Sequence, residues 1–270
     1  MNMQRVLQLM AEKGASDLYL SANAPALLKI NGQLMPITDH VLAPSIDTAR
    51  RMHSFVPQAE LRLAPHPDLP AGQALPNPNP QALPAGARLK VAVIGALNVL
   101  KGADLLEQTA LLAARQGIPI DFHLLGHAYR DLCTQPRAHL TVHGRYQNDE
   151  LPALLNWLQP DVVWFPVQAP ETYSYTLSAC LQAGLPIVAP DLGAFPARLA
   201  GRPWTWVLPW NTDAAGWLAV FQTLMAQHFS SGQAPALPNP KSGHFEALRV
   251  PPFDYQNEYL PRATAAGHDA

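Results

Sequence analysis

The sequence predicts a doubly wound, parallel, Rossmann-like α/β sheet over residues 88–229, and two observations lead to this fold class. Short apolar runs alternate with helix-like patterns along the whole stretch. The first run, LKVAVIGAL at 89–97, is almost wholly apolar and has a glycine near its end, as expected of a strand buried on both faces. Such sheets bind ligands outside the carboxyl ends of their strands, so candidate functional residues are those that follow strands.

The first helix is predicted in DLLEQTALLAARQG, directly after this strand. Asp104 and Glu107 have the spacing of a capping box, and Gly117 with Pro119 ends the helical pattern. The inner face of this helix is predicted to consist of Leu105, Leu106, Thr109 and Leu112.

The remaining elements continue the alternation. The predicted strands are PIDFHLLG, HLTVHG, DVVWFP, PIVAP and WTWVLP. The predicted helices are DELPALLNWLQ, residues 173–183 ended by Gly184, and DAAGWLAVFQTLMAQH.

Proline divides the chain into segments. Eight of the 28 prolines lie between Pro57 and Pro84, a density that is predicted to exclude helix and strand and to form an extended linker. A second proline-containing patch covers 230–243. The predicted organisation is a head fragment at 1–40, a hinge and Pro-rich linker at 41–87, a compact domain at 88–229 and a Pro-rich tail at 230–270.

Composition excludes several classes of protein. A net charge of −2 provides no basic surface for nucleic acid, and no apolar run approaches the length of a transmembrane segment. Two cysteines make no disulfide framework and favour a cytoplasmic protein. The ten histidines lack ligand spacing with cysteine or carboxylate partners, so no metal site is predicted.

A candidate anion site follows the first strand, in GALNVLKG. Gly95, Lys101 and Gly102 offer backbone amides, a helix N-terminus and an ammonium group, which together suit a phosphate. The alternative is an exposed lysine in an ordinary strand–helix turn.

A candidate carboxylate follows the strand DVVWFP. Glu171 lies where a carboxylate accepts hydrogen bonds from sugar hydroxyls or stabilises developing positive charge. Ser174 and Tyr175, in the first turn of the next helix, are expected to direct their amides at the same cleft. The alternative is a carboxylate that caps this helix.

Four segments resemble, in order and spacing, the C-terminal half of the retaining GT-B glycosyltransferases (glycosyl transferases group 1), in particular bacterial polysaccharide and O-antigen members. They are KVAVIGALNVLKGADLL, IDFHLLG, LTVHGRYQNDELPALL and DVVWFPVQAPETYSYTLSACLQAGLPIVAPDLGAFPARL. Because VLAPSIDTARRMHSFVP is similar to the hinge of that family, the resemblance covers roughly residues 41–262. It implies a hexosyltransferase that uses a UDP- or GDP-sugar, with no other cofactor, and a polysaccharide or lipid-linked acceptor.

The resemblance also implies roles for single residues. Lys101 would bind the donor diphosphate with the amides of Ser174 and Tyr175. The segment from Gly144 to Tyr146 would border the base, and Glu171, the first glutamate of the family's E-x7-E motif, would contact the donor sugar as the catalytic residue.

Two positions depart from the family pattern. Ala179 stands where the second glutamate would hold the ribose hydroxyls, and Ala96 replaces a frequent arginine. Loss of a bidentate charged hydrogen bond costs about 2–3 kcal/mol, or roughly 30- to 150-fold in donor affinity.

The first forty residues resemble the beginning of pilus-retraction ATPases of twitching motility, through EKGASDLYLSA and KINGQLMPI. A small α+β segment is predicted, with a helix, a tight turn in KGASD, and two strands of which the second ends at Asn31-Gly32. The phosphate loop and acidic motifs of the motor are absent from the sequence, so ATPase activity is not implied.

Two hypotheses about function remain open. In one, the chain is the donor-binding half of a glycosyltransferase, with activity reduced by Ala179 and by the missing acceptor domain, which a separate polypeptide would supply. In the other, it is a non-catalytic fusion remnant or interaction module that associates with type IV pilus motor subunits.

Overall fold

The computed structural model describes residues 41–66, 68–69 and 74–230, together with 10–12, 17–19, 27–30, 33–36 and 252. The chain divides into two compact units: residues 1–66 with 243–270 form the first unit, and residues 67–242 form the second. Most of the predicted KGASD turn and nearly all of the predicted tail lie outside the described residues.

Residues 10–12 are helical, as the sequence predicts, and a small antiparallel sheet follows them in the first unit. Its strands are β1 (Asp17–Tyr19), β2 (Leu27–Ile30) and β3 (Gln33–Pro36), in the order β1-β2-β3. Ile30 is paired with Gln33, and β2 ends directly before Asn31, as the sequence predicts. β3 was not predicted.

A second part of this unit comprises β4 (Val41–Ala43), α1 (Ile46–Phe55) and β5 (Leu61–Leu63). β4 and β5 pair in parallel, and Ser45 caps α1 by accepting a hydrogen bond from the amide of Thr48. The prediction that residues 57–84 exclude strand structure is therefore wrong at β5. Prolines stand on both sides of this strand but not within it, so all its amides remain available for the ladder.

The second unit follows the predicted alternation of strands and helices. Its elements are β6 (Leu89–Leu97), α2 (Ala103–Arg115), β7 (Ile120–Ala128), β8 (Leu140–Val142), a 3-10 turn (Asn148–Glu150), α3 (Leu151–Leu158), β9 (Val162–Trp164), α4 (Tyr175–Gln182), β10 (Ile187–Pro190), α5 (Phe195–Leu199), β11 (Thr205–Leu208), α6 (Ala214–Leu224) and a π-helical turn (Met225–Phe229). Among these, α5 is the helix that the sequence analysis missed.

The strands of the second unit form one parallel sheet with the order β11-β10-β9-β6-β7-β8. Counted along the chain, this is the 3-2-1-4-5-6 order of the doubly wound nucleotide-binding fold, so the predicted fold class is confirmed. The order reverses between β6 and β9. The carboxyl ends of these two strands therefore form the topological switch point, where such sheets leave a crevice.

Alternate residues of β6 enter two cores on opposite faces of the sheet. Val91 and Val93 join the core under α2 and α6, whereas Ala92 and Ile94 join the core under α3, α4 and α5. In the first core, the fully buried Trp164 packs against Trp217, Phe122 and Phe221, with ring centroids 5.4, 6.2 and 5.3 Å away. Burial on both faces explains the long apolar runs in the sequence.

The predicted capping box of the first helix does not form. α2 begins after Gly102, and no side chain of the described residues caps it. Asp104 and Glu107 instead accept hydrogen bonds from the guanidinium of Arg130, at 2.5 and 2.7 Å. The prediction is wrong because the N-cap is Gly102, so Asp104 lies within the first turn of α2 and both carboxylates are available to Arg130.

The inner face of α2 also differs from the prediction at one position. Leu105, Leu106 and Thr109 are buried as predicted, whereas Leu112 is only partly buried. Ala110 and Ala113 complete the buried face, because small side chains let the helix approach the sheet closely.

Candidate functional site

A cleft lies at the switch point, beyond the carboxyl ends of β6 and β9. Gly95, Lys101, Pro166, Glu171 and Thr176 line it, together with side chains from the ends of both strands. Three predicted site residues, Gly95, Lys101 and Glu171, therefore lie at one position in the fold.

The Lys101 ammonium and the Glu171 carboxylate form an ion pair across this cleft. Nζ of Lys101 lies 3.5 Å from Oε1 of Glu171. The lysine side chain is 51% exposed and the glutamate side chain 20% exposed. A partly exposed ion pair of this kind contributes little to folding.

Close contact between two loops brings Lys101 and Glu171 together. Gly102 has a φ of 80°, and a Cβ at this position would lie 2.1 Å from the carbonyl oxygen of Pro166. The amide of Gln168 also donates to the carbonyl oxygen of Leu100 at 2.7 Å. Only glycine allows the loop after β6 to pack this closely on the loop after β9.

A third loop holds the backbone of Glu171. A Cβ on Gly193, whose φ is 62°, would lie 2.5 Å from the Glu171 carbonyl oxygen and 2.6 Å from its nitrogen. The amide of Ala194 donates to the same carbonyl oxygen at 2.9 Å. The loop after β10 therefore holds the backbone from which this carboxylate extends.

The N-terminus of α4 borders the cleft through Thr176. Ser174, the residue before the helix, has φ 72° and ψ 94°, and no side chain of the described residues caps α4. The Ser174 hydroxyl lies instead 3.3 Å from Oγ1 of Thr176. Ser174 and Tyr175 thus form the turn at the start of α4, but they are not among the residues that line the cleft.

Arg198, on α5, binds the turn before α4, a contact that the sequence analysis missed. Its Nη1 donates to the carbonyl oxygens of Tyr173 at 2.7 Å and Ser174 at 2.9 Å, and its Nη2 donates to Oγ of Ser178 at 2.7 Å. The guanidinium also lies 3.9 Å from the centroid of the Tyr173 ring. Burial lowers the pKa of Arg198.

Tyr173, whose ring contacts this guanidinium, is hydrogen-bonded to an earlier part of the chain. The Tyr173 hydroxyl donates to the carboxylate of Asp68, and burial raises the pKa of Tyr173. Residue pairs so distant in sequence leave no local pattern, so only the segment FPARL, already part of the resemblance, could have indicated Arg198.

The two residues predicted to border the base lie beyond another strand and are not among those that line the cleft. Gly144 follows β8, and its amide donates to the carbonyl oxygen of Gly126 at 2.9 Å. Tyr146 packs against the same core as Ala179, and burial raises the pKa of its phenol.

The described part of the chain has neither a metal-binding cluster nor a membrane-spanning helix. No group of three or more histidine, cysteine, aspartate or glutamate residues there could hold a metal ion. None of its helices has the length and apolar character needed to cross a bilayer.

Comparison with solved structures shows that the fold is that of one half of the GT-B architecture. The lipopolysaccharide outer core galactosyltransferase WaaB, in its apo form, matches 70% of this chain and 53% of its own, at 13% identity and a TM-score of 0.51. Sucrose-phosphate synthase from Thermosynechococcus elongatus matches 70% of this chain and 49% of its own, at 18% identity and a TM-score of 0.49. HepE from Anabaena in complex with UDP-glucose matches 69% and 54%, at 14% identity and a TM-score of 0.48. The chain thus spans about half the length of these proteins.

Comparison of sequences gives one further similarity. The type IV pilus ATPase PilU from Pseudomonas aeruginosa is 46% identical over 44 residues, which is 16% of this chain and 12% of PilU. No protein-family model matches the chain.

Proposed function

We propose that the second unit is the donor-binding half of a retaining hexosyltransferase that uses a nucleoside-diphosphate sugar. The observation that carries this proposal is the Lys101–Glu171 pair at 3.5 Å, at the switch point of a sheet with the fold of a GT-B half. A cation for the diphosphate and a carboxylate for the sugar meet there at one cleft. UDP-glucose, the ligand of HepE, belongs to the proposed class of donor.

Lys101 is proposed to neutralise the leaving group. As the bond between the anomeric carbon and the phosphate oxygen breaks, negative charge develops on the nucleoside diphosphate. The Lys101 ammonium, the N-terminus of α2 after Gly102, and the amides of Ser174 and Tyr175 would all stabilise that charge. The proposed reaction therefore needs no metal ion.

Glu171 is proposed to orient the donor sugar. Its backbone is held by Gly193 and Ala194, and its carboxylate remains 20% exposed at the cleft. A carboxylate fixed in this way accepts hydrogen bonds from sugar hydroxyls and stabilises positive charge on the anomeric carbon. The new bond would form between the anomeric carbon and an acceptor hydroxyl oxygen, whose proton would pass to the departing diphosphate oxygen.

The nucleoside is proposed to bind near Gly144 and Tyr146, with Ala179 leaving its ribose without a charged acceptor. Donor affinity would then be roughly 30- to 150-fold below that of a site with both glutamates. A polysaccharide or lipid-linked acceptor would bind between this half and an acceptor domain.

Calorimetric titration with UDP and GDP tests the proposal. We expect heat of binding for either nucleotide at micromolar to millimolar concentration. The affinity should fall about tenfold or more in Lys101→Met, because a charged hydrogen bond contributes about 1.5–3 kcal/mol. Absence of heat at millimolar concentrations of both nucleotides would reject a donor site.

A second candidate function is a non-catalytic module that binds type IV pilus motor subunits. The 46% identity to PilU over 44 residues favours it, as does Ala179 in the place of a glutamate. Co-sedimentation of the purified chain with PilU would support this candidate. Donor hydrolysis or sugar transfer by the chain, abolished in Glu171→Ala, would refute it.

A further inference from the structure

Arg198 determines the direction of two backbone amides at the N-terminus of α4. In a planar trans peptide the C=O and N–H groups point in opposite directions. Because Nη1 of Arg198 binds the carbonyl oxygens of Tyr173 and Ser174, the amides of Ser174 and Tyr175 point away from the guanidinium. These two amides are the ones that the proposed function assigns to the donor diphosphate.

The conformation of Ser174 requires support from its surroundings. A φ of 72° with a ψ of 94° is sparsely populated for any residue other than glycine. Such a conformation persists where neighbouring structure holds it, and it is frequent at binding sites. The two hydrogen bonds from Arg198 hold the peptide groups on both sides of Ser174.

Arginine suits this position better than another cation. Its planar fork reaches two consecutive carbonyl oxygens and, through its second terminal nitrogen, the Ser178 hydroxyl within α4. The ring of Tyr173 lies against the guanidinium, 3.9 Å from its carbon atom. A lysine ammonium is a point charge and cannot form the same set of contacts.

We propose that Arg198 is a positioning residue, which orients the amides of Ser174 and Tyr175 toward the diphosphate of the donor. This inference rests on the proposed function. It adds that the affinity of the site for a diphosphate depends on a side chain that lies behind the loop and binds its carbonyl oxygens.

The test compares Arg198→Met with Arg202→Met. Arg202 follows the same helix and is also partly buried, but its Nη1 donates to Oγ1 of Thr205 at 3.4 Å, outside the cleft. Calorimetry with UDP, GDP and inorganic pyrophosphate is performed at a temperature where circular dichroism shows each variant to be folded. Pyrophosphate isolates the phosphate contacts from those of the base and ribose.

At least tenfold weaker binding of pyrophosphate and of the tighter nucleotide is expected in Arg198→Met, with less than twofold change in Arg202→Met. The affinity of Arg198→Lys is expected to lie between those of Arg198→Met and the unaltered chain, because a lysine can retain one carbonyl contact. The amide resonances of Ser174 and Tyr175 are expected to move in Arg198→Met and to stay in place in Arg202→Met.

Three results would overturn the inference. A folded Arg198→Met chain with unaltered affinity shows that the guanidinium does not serve the ligand. Equal weakening in both variants shows a general loss of structure. If the unaltered chain binds neither nucleotide nor pyrophosphate, the proposed function fails and this inference fails with it, a result distinct from the first two.

Discussion

The carboxylate of Glu171 and the ammonium of Lys101 meet 3.5 Å apart across the switch point of the parallel sheet, although they belong to loops that follow different strands. Gly102 and Gly193 allow this meeting, because each permits a backbone approach that a Cβ would prevent. The pair is partly exposed, so its geometry depends on the loops rather than on its own attraction.

Replacing Glu171 is expected to separate binding of the nucleotide from binding of the sugar. Glu171→Gln removes a negative charge beside the diphosphate, so affinity for UDP or GDP should stay unchanged or rise. Affinity for the nucleotide sugar should fall about tenfold, because charge-assisted hydrogen bonds to the hexose are lost. Lys101→Met should weaken the binding of both the nucleotide and the nucleotide sugar. Paired calorimetric titrations measure this, and equal losses for both ligands in Glu171→Gln would contradict the proposed role.

Restoring a carboxylate at position 179 is expected to strengthen nucleotide binding. Ala179 lies on α4 and is only partly buried, which leaves access to solvent for a longer side chain. Ala179→Glu should tighten UDP or GDP binding by roughly 30- to 150-fold if the ribose lies there. Ala179→Gln, of the same size but neutral, is the matched control and should give a smaller gain. No gain in either variant would place the ribose elsewhere.

A methyl group at Gly102 is expected to destabilise the second unit strongly. Gly102→Ala adds an unfavourable φ, which costs about 1–2 kcal/mol, and an overlap with the Pro166 carbonyl, which costs about 1–3 kcal/mol more. Gly86→Ala is the control, since Gly86 has a φ of 77° and nothing within 4 Å of its Cβ position. Urea denaturation measures both free energies of unfolding, and equal losses would mean that the loop contact is unimportant.

Two contacting histidines are expected to make stability depend on pH. Nδ1 of His123 lies 3.1 Å from Nε2 of His143, and burial lowers the pKa of both imidazoles below the ordinary 6.5. Between the folded and unfolded pKa values the unfolded chain binds more protons, so stability falls as the pH drops below about 6.5. Urea midpoints at pH 8 and at pH 5.5 should differ more in the unaltered chain than in His123→Gln with His143→Gln. An equal pH dependence in both would reject this origin.

The order of strands and helices in the second unit could be predicted because each element leaves a local pattern. β6 and β10 are buried on both faces, so their sequences are nearly continuous apolar runs. α5 left no such pattern, since it has five residues and includes a proline. It forms because Phe195 packs on Phe165, with ring centroids 5.0 Å apart.

Predictions based on local spacing failed where a distant partner was available. The spacing of Asp104 and Glu107 indicated a capping box, yet both carboxylates bind Arg130. Proline density indicated a linker without strands, yet Leu61–Leu63 pairs with Val41–Ala43. In each case a residue from another part of the chain gives a stronger interaction than the local alternative.

The sequence by itself determined the fold class, the strands that carry the site, and the residue types that could hold an anion and a sugar. These properties depend on burial and hydrogen bonding that repeat along each element, so a short stretch of sequence is enough to predict them. Only the tertiary structure decided that Lys101 and Glu171 share one cleft and that Arg198 holds the loop of Ser174. Those contacts join segments distant in the chain, and their geometry exists only after the loops have packed against one another.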